Sequence, residues 1–270
     1  MTQRPTMIQR IRYYYNQRDL LLSYVRKDLK ERYVGSVIGF YWSVLNPLIL
    51  LGIYTFVFSV IFRVRFGEGE GLVNAALYIF CGMVPWMAFS EAVGRSTGVL
   101  IDNANLIKKV MFPSKILPMY LVFSHAVNLL IGFGILLGAA IFAGMTPTPY
   151  LAFLPLYVGA QLLLTLGCCW WSAALNVFIR DMAQVIGQFM IVWMYLSPIF
   201  YSVDFIPQEY RQYAYINPMT HLIEGYRDMF LNGRMPDLAG LGIFTLFALV
   251  VCATGYLFFT RNQHSFADIL

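Results

Sequence analysis

Residues 102–118 read DNANLIKKVMFPSKILP and lie between two long apolar stretches of this 270-residue chain. Asp102, Asn103 and Asn105 are residue types that cap helix N-termini. Apolar residues then recur at helical spacing beside two lysines, until Pro113 interrupts the pattern. The sequence therefore predicts a short, basic, amphipathic helix at about 102–113. Such a helix lies on a membrane face, either as a simple interfacial anchor or with its apolar edge offered to a partner.

The composition is that of a polytopic membrane protein. Hydrophobic residues make up 59% of the sequence and charged residues 12%, which is about half of the charged fraction in soluble domains. The net charge of +5 comes mostly from basic residues beside apolar stretches, where anionic lipids account for it, so no nucleic-acid partner is expected. The four cysteines lack the spacing of a metal site or a disulfide framework, and no cofactor is predicted.

Residues 1–32 are predicted to form a basic region with an amphipathic helix at the cytoplasmic interface. The region has eight lysines and arginines against three acidic residues, and it lacks the features of a cleaved signal peptide. Lys27 precedes Glu31, and Asp28 precedes Arg32, by the four residues that bring side chains together on a helix. The apolar stripe consists of Leu21, Leu22, Val25 and Leu29. The alternative is a positively charged flank that only sets the orientation of the chain.

Six uncharged stretches are predicted to cross the membrane, since about 20 apolar residues span the hydrocarbon core. Two of them share residues 116–179, where Gly144, Pro147 and Pro149 are the only turn signals and predict a short hairpin. The others lie at 33–62, 71–90, 182–203 and 238–260.

Local irregularities are expected within two of these spans. Pro85 is expected to break the second span, which the oppositely charged pair Glu91 and Arg95 would close. In the third span, Gly134 and Gly138 have the spacing of small residues that let two helices pack closely.

The distribution of basic residues sets the orientation. Fourteen of the 19 lysines and arginines, including every lysine, flank the side that holds both termini. Both termini and the helix at 102–113 are therefore predicted to be cytoplasmic. Residues 204–237 then lie outside and are too polar to cross the membrane. They contain two helical pieces, the second capped by Asn217 and begun by Pro218, which predict an amphipathic hairpin half-sunk in the outer interface.

The sequence pattern contains no catalytic constellation. An acid, a base and a nucleophile do not cluster on any predicted face, and the phosphate-binding pattern G-x-x-x-x-G-K-[ST] is absent, so any ATP is bound by another chain. His125 lies inside a span, where it is either a functional group or, as we favour, a neutral histidine hydrogen-bonded to a neighbouring helix. An ion-coupled secondary transporter is disfavoured because the spans are almost free of charge. A membrane enzyme acting on lipid-linked sugars is disfavoured because such an enzyme needs an acid–base cluster, and the sequence pattern shows none.

Five local sequences, in this order, resemble the ABC-2 type permeases of the branch that exports O-antigen, capsule or teichoic acid polymers. They read GFYWSVLNPL at 39–48, GMVPW at 82–86, NLIKKVMFP at 105–113, SPIFY at 197–201 and NPMTHLIEGYR at 217–227. The likeness covers almost the whole chain. It implies an all-α fold in which residues 33–270 form a six-span domain, with a coupling helix at 102–113 and a re-entrant outer gate hairpin at 204–237.

The resemblance also implies partners, substrate and residue roles. The chain would be a homodimeric, non-enzymatic permease of the bacterial inner membrane, paired with two copies of a separate ATPase and exporting a lipid-linked polysaccharide. A drug or small-molecule exporter of the same family is the alternative. The residues that would meet the ATPase are Asn105, Leu106, Ile107, Lys108, Lys109, Val110, Met111, Phe112, Arg180 and Asp181. The outer gate would contain Pro207, Tyr210, Asn217, Pro218, Tyr226 and Arg227.

Aromatic residues recur at helical spacing on the first and fifth spans, and we interpret them as a surface for sugars. Aromatic rings stack on the apolar faces of sugar rings without fixing one register, so a polymer can slide over them. The channel-lining set is Tyr41, Trp42, Tyr54, Phe58, Phe189, Trp193 and Phe200, with the first two nearer the entrance. The alternative is that these rings face lipid or form a belt at the headgroups.

The predicted topology can be tested by thiol labelling of single cysteines in a variant without native cysteines. Cysteines placed at Thr6 and Ser265 should react only from the cytoplasm, because basic residues stay on that side, and a cysteine at Gln212 should react from outside. Labelling of the Thr6 position by an impermeant reagent added to intact cells would contradict the six-span topology.

Overall fold

The computed structural model describes residues 17–32, 39–61, 72–109 and 112–270. Every long regular element in these ranges is a helix, so the all-α prediction is confirmed. The α-helices are α1 (Arg18–Glu31), α2 (Trp42–Tyr54), α3 (Leu72–Asp102), α4 (Ala104–Lys109), α5 (Ile116–Phe142), α6 (Leu154–Phe178), α7 (Met182–Leu196), α8 (Gln208–Ala214), α9 (Pro218–Arg227), α10 (Leu238–Asn262) and α11 (Phe266–Ile269). Two π-helical segments, Thr55–Ile61 and Asp228–Asn232, continue α2 and α9, and short 3₁₀ turns occupy Gly39–Tyr41, Pro149–Phe153 and Val203–Phe205.

Four of the described helices are long and apolar enough to cross a membrane. They are Ala75–Asp102 of α3, α5, α6 with its preceding turn, and α10, and these segments contain 25 to 30 residues each. The first and fifth predicted spans correspond to shorter apolar helices, Trp42–Phe58 and Met182–Leu196. At 1.5 Å per residue, the 15 residues of α7 extend only about 22 Å, less than the roughly 30 Å of the hydrocarbon core. Crossing of the membrane by these two helices therefore stays a prediction.

The second span is longer than the sequence predicted. Pro85 lies inside α3 without breaking it, and the helix runs past Glu91 and Arg95 to Asp102. The predicted end was wrong because Arg95 has a buried partner on α1, so charge at this position does not require the helix to stop. The α4 helix begins two residues after α3 ends, and the Asn103 side chain donates to the Val99 carbonyl of α3 instead of capping α4.

The central helix of the domain is α3. In its most apolar window 78% of the residues are buried by protein, against 39% in α5 and in α6 and 22% in α10. The outer helices therefore keep apolar surface for lipid, whereas α3 is surrounded by protein. Its two ends are far apart, since Tyr78 and Asp102 are separated by roughly 36 Å of helix.

The closest helix packing occurs between α6 and α10. A Cβ on Gly167 would lie 2.6 Å from the Cα of Cys252, and a Cβ on Gly255 would lie 2.5 Å from the Gly167 carbonyl oxygen, so only glycine permits this approach. By contrast, positions 134 and 138 have no described atom within 4 Å of such a Cβ. The predicted close contact at Gly134 and Gly138 is therefore not formed within the described part of this chain.

Candidate functional site

The proposed coupling segment is only partly exposed. In α4, Asn105 and Lys108 are exposed and Leu106 is half-buried. Ile107 and Phe112 instead pack against an apolar cluster of the membrane domain that includes Leu117 and Phe266. Val110, Met111 and the side chain of Lys109 lie outside the described residues. The surface that α4 leaves for a partner is therefore narrower than the predicted apolar edge.

The turn between α6 and α7 lies at the same end of the bundle as α4. Arg180 and Asp181 are exposed in this turn. The ring of Phe178, at the end of α6, is 6.1 Å from the ring of Phe266 on α11, and α11 also contacts α4. Both proposed contact regions thus face one side of the molecule.

The proposed gate hairpin lies at the other end of α3. Asn217 caps α9, since its side chain accepts a hydrogen bond from the Met219 backbone N–H at 3.1 Å, and Pro218 is the first helical residue. Gly233 ends the hairpin in a left-handed conformation (φ 61°) that favours glycine. The predicted cap, start and stop are confirmed. Pro207 and Tyr210 are exposed on the α8 side of the hairpin.

Arg227 anchors the hairpin to α3 and is fully buried. Its guanidinium donates to the carbonyls of Ile199 (3.0 Å) and Tyr78 (3.4 Å), pairs with Glu224 at 2.7 Å, and lies 3.5 Å from the centre of the Tyr78 ring. A Cβ at Gly82 would lie 3.4 Å from this guanidinium and 3.3 Å from the Cα of Ile199, so glycine makes room for the arginine.

Tyr226 is a second buried anchor. Its hydroxyl donates to Gln161 Oε1 of α6 at 2.8 Å, and the Gln161 amide donates to the Pro85 carbonyl of α3 at 2.8 Å. The predicted gate residues therefore fall into two groups: Tyr226 and Arg227 fix α9 to the bundle, whereas Pro207 and Tyr210 remain exposed.

The predicted channel-lining residues form two aromatic groups. In the first, the rings of Tyr54 and Phe58 on α2 and its continuation each lie 6.4 Å from Phe200, and Phe58 stacks on it. Tyr195, which the sequence analysis did not select, is 64% exposed and 5.9 Å from Phe200. This group joins α2 to the end of α7.

The second aromatic group is centred on Trp193. Phe189, which is 55% exposed, lies 5.4 Å from Trp193, whose ring meets Trp86 and Phe89 of α3 edge-on. The indole N–H of Trp193 donates to Asn217 Oδ1 at 2.9 Å. Trp193, a predicted channel residue, is thus hydrogen-bonded to Asn217, the residue that caps α9 in the predicted gate.

Tyr41 and Trp42 lie at the start of the first span. Tyr41 is 73% exposed, and Trp42 lines a cavity of about 110 Å³ together with Arg32 and Asn128.

Comparison with known proteins identifies the family of this chain. The sequence profile of the ABC-2 type transporter family matches residues 19–231. The chain belongs to the ABC-2 type transporter family. It is 30% identical over 264 residues to the O-antigen export system permease protein RfbA of Myxococcus xanthus, covering 97% of this chain and 99% of that protein.

Two further relatives carry names that refer to export or transport. The chain is 30% identical over 253 residues to the O-antigen export system permease protein RfbA of Klebsiella pneumoniae, covering 93% of this chain and 95% of the relative. It is 23% identical over 247 residues to the polysialic acid transport protein KpsM of Escherichia coli, covering 88% and 91%.

The sequence analysis missed a buried polar cluster that fixes α1 to α3 and α5. Asp28 of α1 is 7% exposed and pairs with Arg32 at 3.0 Å, as predicted, and with Arg95 of α3 at 2.5 Å. Ser124 of α5 also donates to its carboxylate. Burial by itself raises the pKa of Asp28, but hydrogen bonds from Arg95 and Ser124 and the charge of Arg32 outweigh it and hold the pKa below its usual value.

His125 belongs to the same cluster. It is buried, with Nδ1 2.7 Å from the Leu121 carbonyl and Nε2 3.0 Å from Arg32, the C-cap residue of α1. The prediction of a histidine hydrogen-bonded to a neighbouring helix is confirmed.

Replacement of Arg227 by methionine should destabilise the fold strongly. The change leaves Glu224 and the carbonyls of Tyr78 and Ile199 without their donor, and breaking a buried ion pair costs about 3–5 kcal/mol. Thermal unfolding in detergent should show a large fall in melting temperature. The matched control is Arg211→Met, which removes an exposed pair with Asp204 at 3.5 Å and should cost less than about 1 kcal/mol. Equal melting temperatures for both variants would contradict the anchoring role.

Proposed function

We propose that this chain is the channel-forming permease subunit of an ATP-driven exporter of lipid-linked polysaccharide in the bacterial inner membrane. The observation that carries the proposal is the full-length likeness to O-antigen export permeases, which extends over 97% of the chain. The names of the relatives favour a polysaccharide over a drug or another small molecule as substrate. Both termini, the α4 side and the turn at Arg180 and Asp181 would face the cytoplasm.

ATP would be bound by a separate subunit, since the sequence lacks the phosphate-binding pattern G-x-x-x-x-G-K-[ST]. The exposed residues of α4 and the turn at Arg180 and Asp181 would contact two ATPase copies across a homodimer. A dimer is supported by α7, which packs against the core through Ile186, Met190, Trp193 and Met194 and exposes apolar side chains such as Val185, Val192 and Leu196 on its other side. Closure of the ATPase can move a span only through a rigid element attached to it, and α4 follows directly from α3.

The two aromatic groups would form part of the polymer path. Phe189 and Tyr195 are exposed, whereas Trp193 is held by Trp86, Phe89 and a hydrogen bond. The exposed rings would contact the sugars, and Trp193 would support them from the side of the protein core. Weak stacking at several positions allows a chain to slide, whereas charged groups would bind more selectively.

The α8 side of the hairpin would be the moving part of the outer gate. Tyr226 and Arg227 fix α9 to α3 and α6, so the helix they hold is a poor candidate for movement. Pro207 and Tyr210 are exposed and carry no such ties among the described contacts. The hydrogen bond between Asn217 and Trp193 would connect the position of the hairpin to the aromatic path.

The proposed function is tested by Leu106→Asp in cells that depend on this chain. The new charge at the half-buried Leu106 position of α4 should reduce co-purification of an ATPase at least tenfold, because an unpaired charge in an interface is costly. Surface polysaccharide should disappear and lipid-linked polymer should accumulate inside. The matched control is Met235→Asp, which places the same charge on an exposed apolar residue near the hairpin. Absence of any ATPase from the purified native complex would overturn the proposal.

The polymer path is tested by Phe189→Ala. Loss of an exposed ring should reduce surface polysaccharide several-fold while the amount of permease and its ATPase stay unchanged, since little packing depends on this side chain. The control is Ile191→Ala on the same helix, also exposed but outside both aromatic groups. If the two variants export equally, Phe189 faces lipid instead of polymer. Gel analysis of extracted polysaccharide provides both amount and chain length.

A further inference from the structure

The chain on either side of the coupling helix α4 contacts the interface helix α1. Before α4, Arg95 of α3 pairs with Asp28 of α1. Arg95 lies seven residues before Asp102, a distance of roughly 10 Å along the helix. After α4, the ring of Phe112 lies 5.7 Å from the ring of Tyr24 in an edge-on arrangement. Tyr24 and Asp28 are four residues apart, so both contacts lie on one face of α1.

The tie through Asp28 is short and directional. Arg95 makes two hydrogen bonds to the carboxylate, Nη2 to Oδ1 at 2.5 Å and Nη1 to Oδ2 at 3.2 Å, which fixes the relative orientation of two planar groups. Ser124 and Arg32 hold the same carboxylate from other directions. Because the geometry of this contact is fixed, a displacement of Arg95 would also displace α1.

The main body of α1 rests on α5, and a cavity separates it from the end of α3. This cavity has a volume of about 440 Å³, and its walls include Lys27 and Glu31 of α1 and Asp102 and Asn103 at the start of the coupling segment. Few backbone contacts join α1 to α3, so the position of α1 relative to α3 depends on side chains that cross this space. The cavity also leaves room for α1 to shift.

We propose that the ion pair between Asp28 and Arg95, together with the ring contact between Tyr24 and Phe112, transmits displacement of α4 to the interface helix α1. These are positioning residues: they act on transport by making α1 move with the coupling helix. The inference rests on the proposed function of α4 as the ATPase contact. The consequence of this coupling is that each closure of the ATPase displaces the interface helix α1 as well as the spans.

The test uses Arg95→Gln combined with Tyr24→Leu in the purified complex of permease and ATPase. Spin labels at Ser23 on α1 and at Asp102, the exposed last residue of α3 directly before α4, report the distance between α1 and the start of the coupling segment, with ATP and vanadate and without nucleotide. In the native background the distance should stay constant in both states. In the double variant its distribution should broaden or shift between states, because α4 then moves without α1.

Transport provides the second measurement. The double variant should keep its ATPase and hydrolyse ATP at a rate within about twofold of the native complex, whereas surface polysaccharide in cells should fall at least tenfold. The matched control is Lys27→Gln combined with Glu31→Gln, which removes an exposed ion pair of 3.7 Å from the same helix and should change neither readout. Native export with unchanged label distances in the double variant would overturn the proposal.

Two further variants keep the test decisive if the double variant folds poorly. Arg95→Lys retains the charge but loses the two-pronged contact, and Tyr24→Leu alone retains apolar volume. Each should lower polysaccharide export relative to ATP hydrolysis, and normal export in both would overturn the transmission role. Failure of the underlying function is distinguishable, because the native chain would then purify without an ATPase before any variant is made.

Discussion

The unbroken course of α3 through the domain is the constraint on which the other functional elements depend. Backbone groups in hydrocarbon have no water to bond, so a spanning segment must satisfy them internally. The α3 helix does so from Leu72 to Asp102 although it contains Pro85. Because α3 is continuous and enclosed by protein, its two ends keep a fixed position relative to each other. The hairpin is fixed near Tyr78 at one end, and α4 follows Asp102 at the other.

Buried polar side chains connect the outer elements to this central helix. Arg227 holds the hairpin, Gln161 joins α6 to both the hairpin and α3, and Asp28 joins α1 to α3 and α5. A buried polar group without partners is costly, so each of these groups restricts its neighbours to one arrangement. Apolar packing alone would tolerate sliding of one helix along another. The polar ties thus give α1, α6 and the hairpin defined attachment points on α3.

The division of roles in the hairpin follows from these ties. Within one motif, NPMTHLIEGYR at 217–227, Asn217 caps the helix and bonds Trp193, whereas Tyr226 and Arg227 point into the bundle. The exposed rim is formed instead by residues such as Tyr210 on α8. The motif that indicated the family therefore contains mainly structural anchors, and the exposed surface of the hairpin lies beside it.

The sequence by itself determined the features that depend on near neighbours along the chain. The all-helical class, the cap at Asn217, the stop at Gly233 and the pairing of Asp28 with Arg32 all follow from composition or from contacts within a few residues. These signals are local, so they are readable without knowing the fold.

Only the tertiary structure decided the contacts between residues distant in the chain. Asp28 meets Arg95 and Ser124 across 67 and 96 positions, and no spacing rule identifies such partners. For the same reason the sequence predicted that Arg95 closes a span, whereas its buried carboxylate partner allows α3 to continue to Asp102. A charged or aromatic side chain can line a channel, anchor one helix to another or mark the end of a helix. Its role depends on which residues pack against it, and the packing of the helices determines those residues.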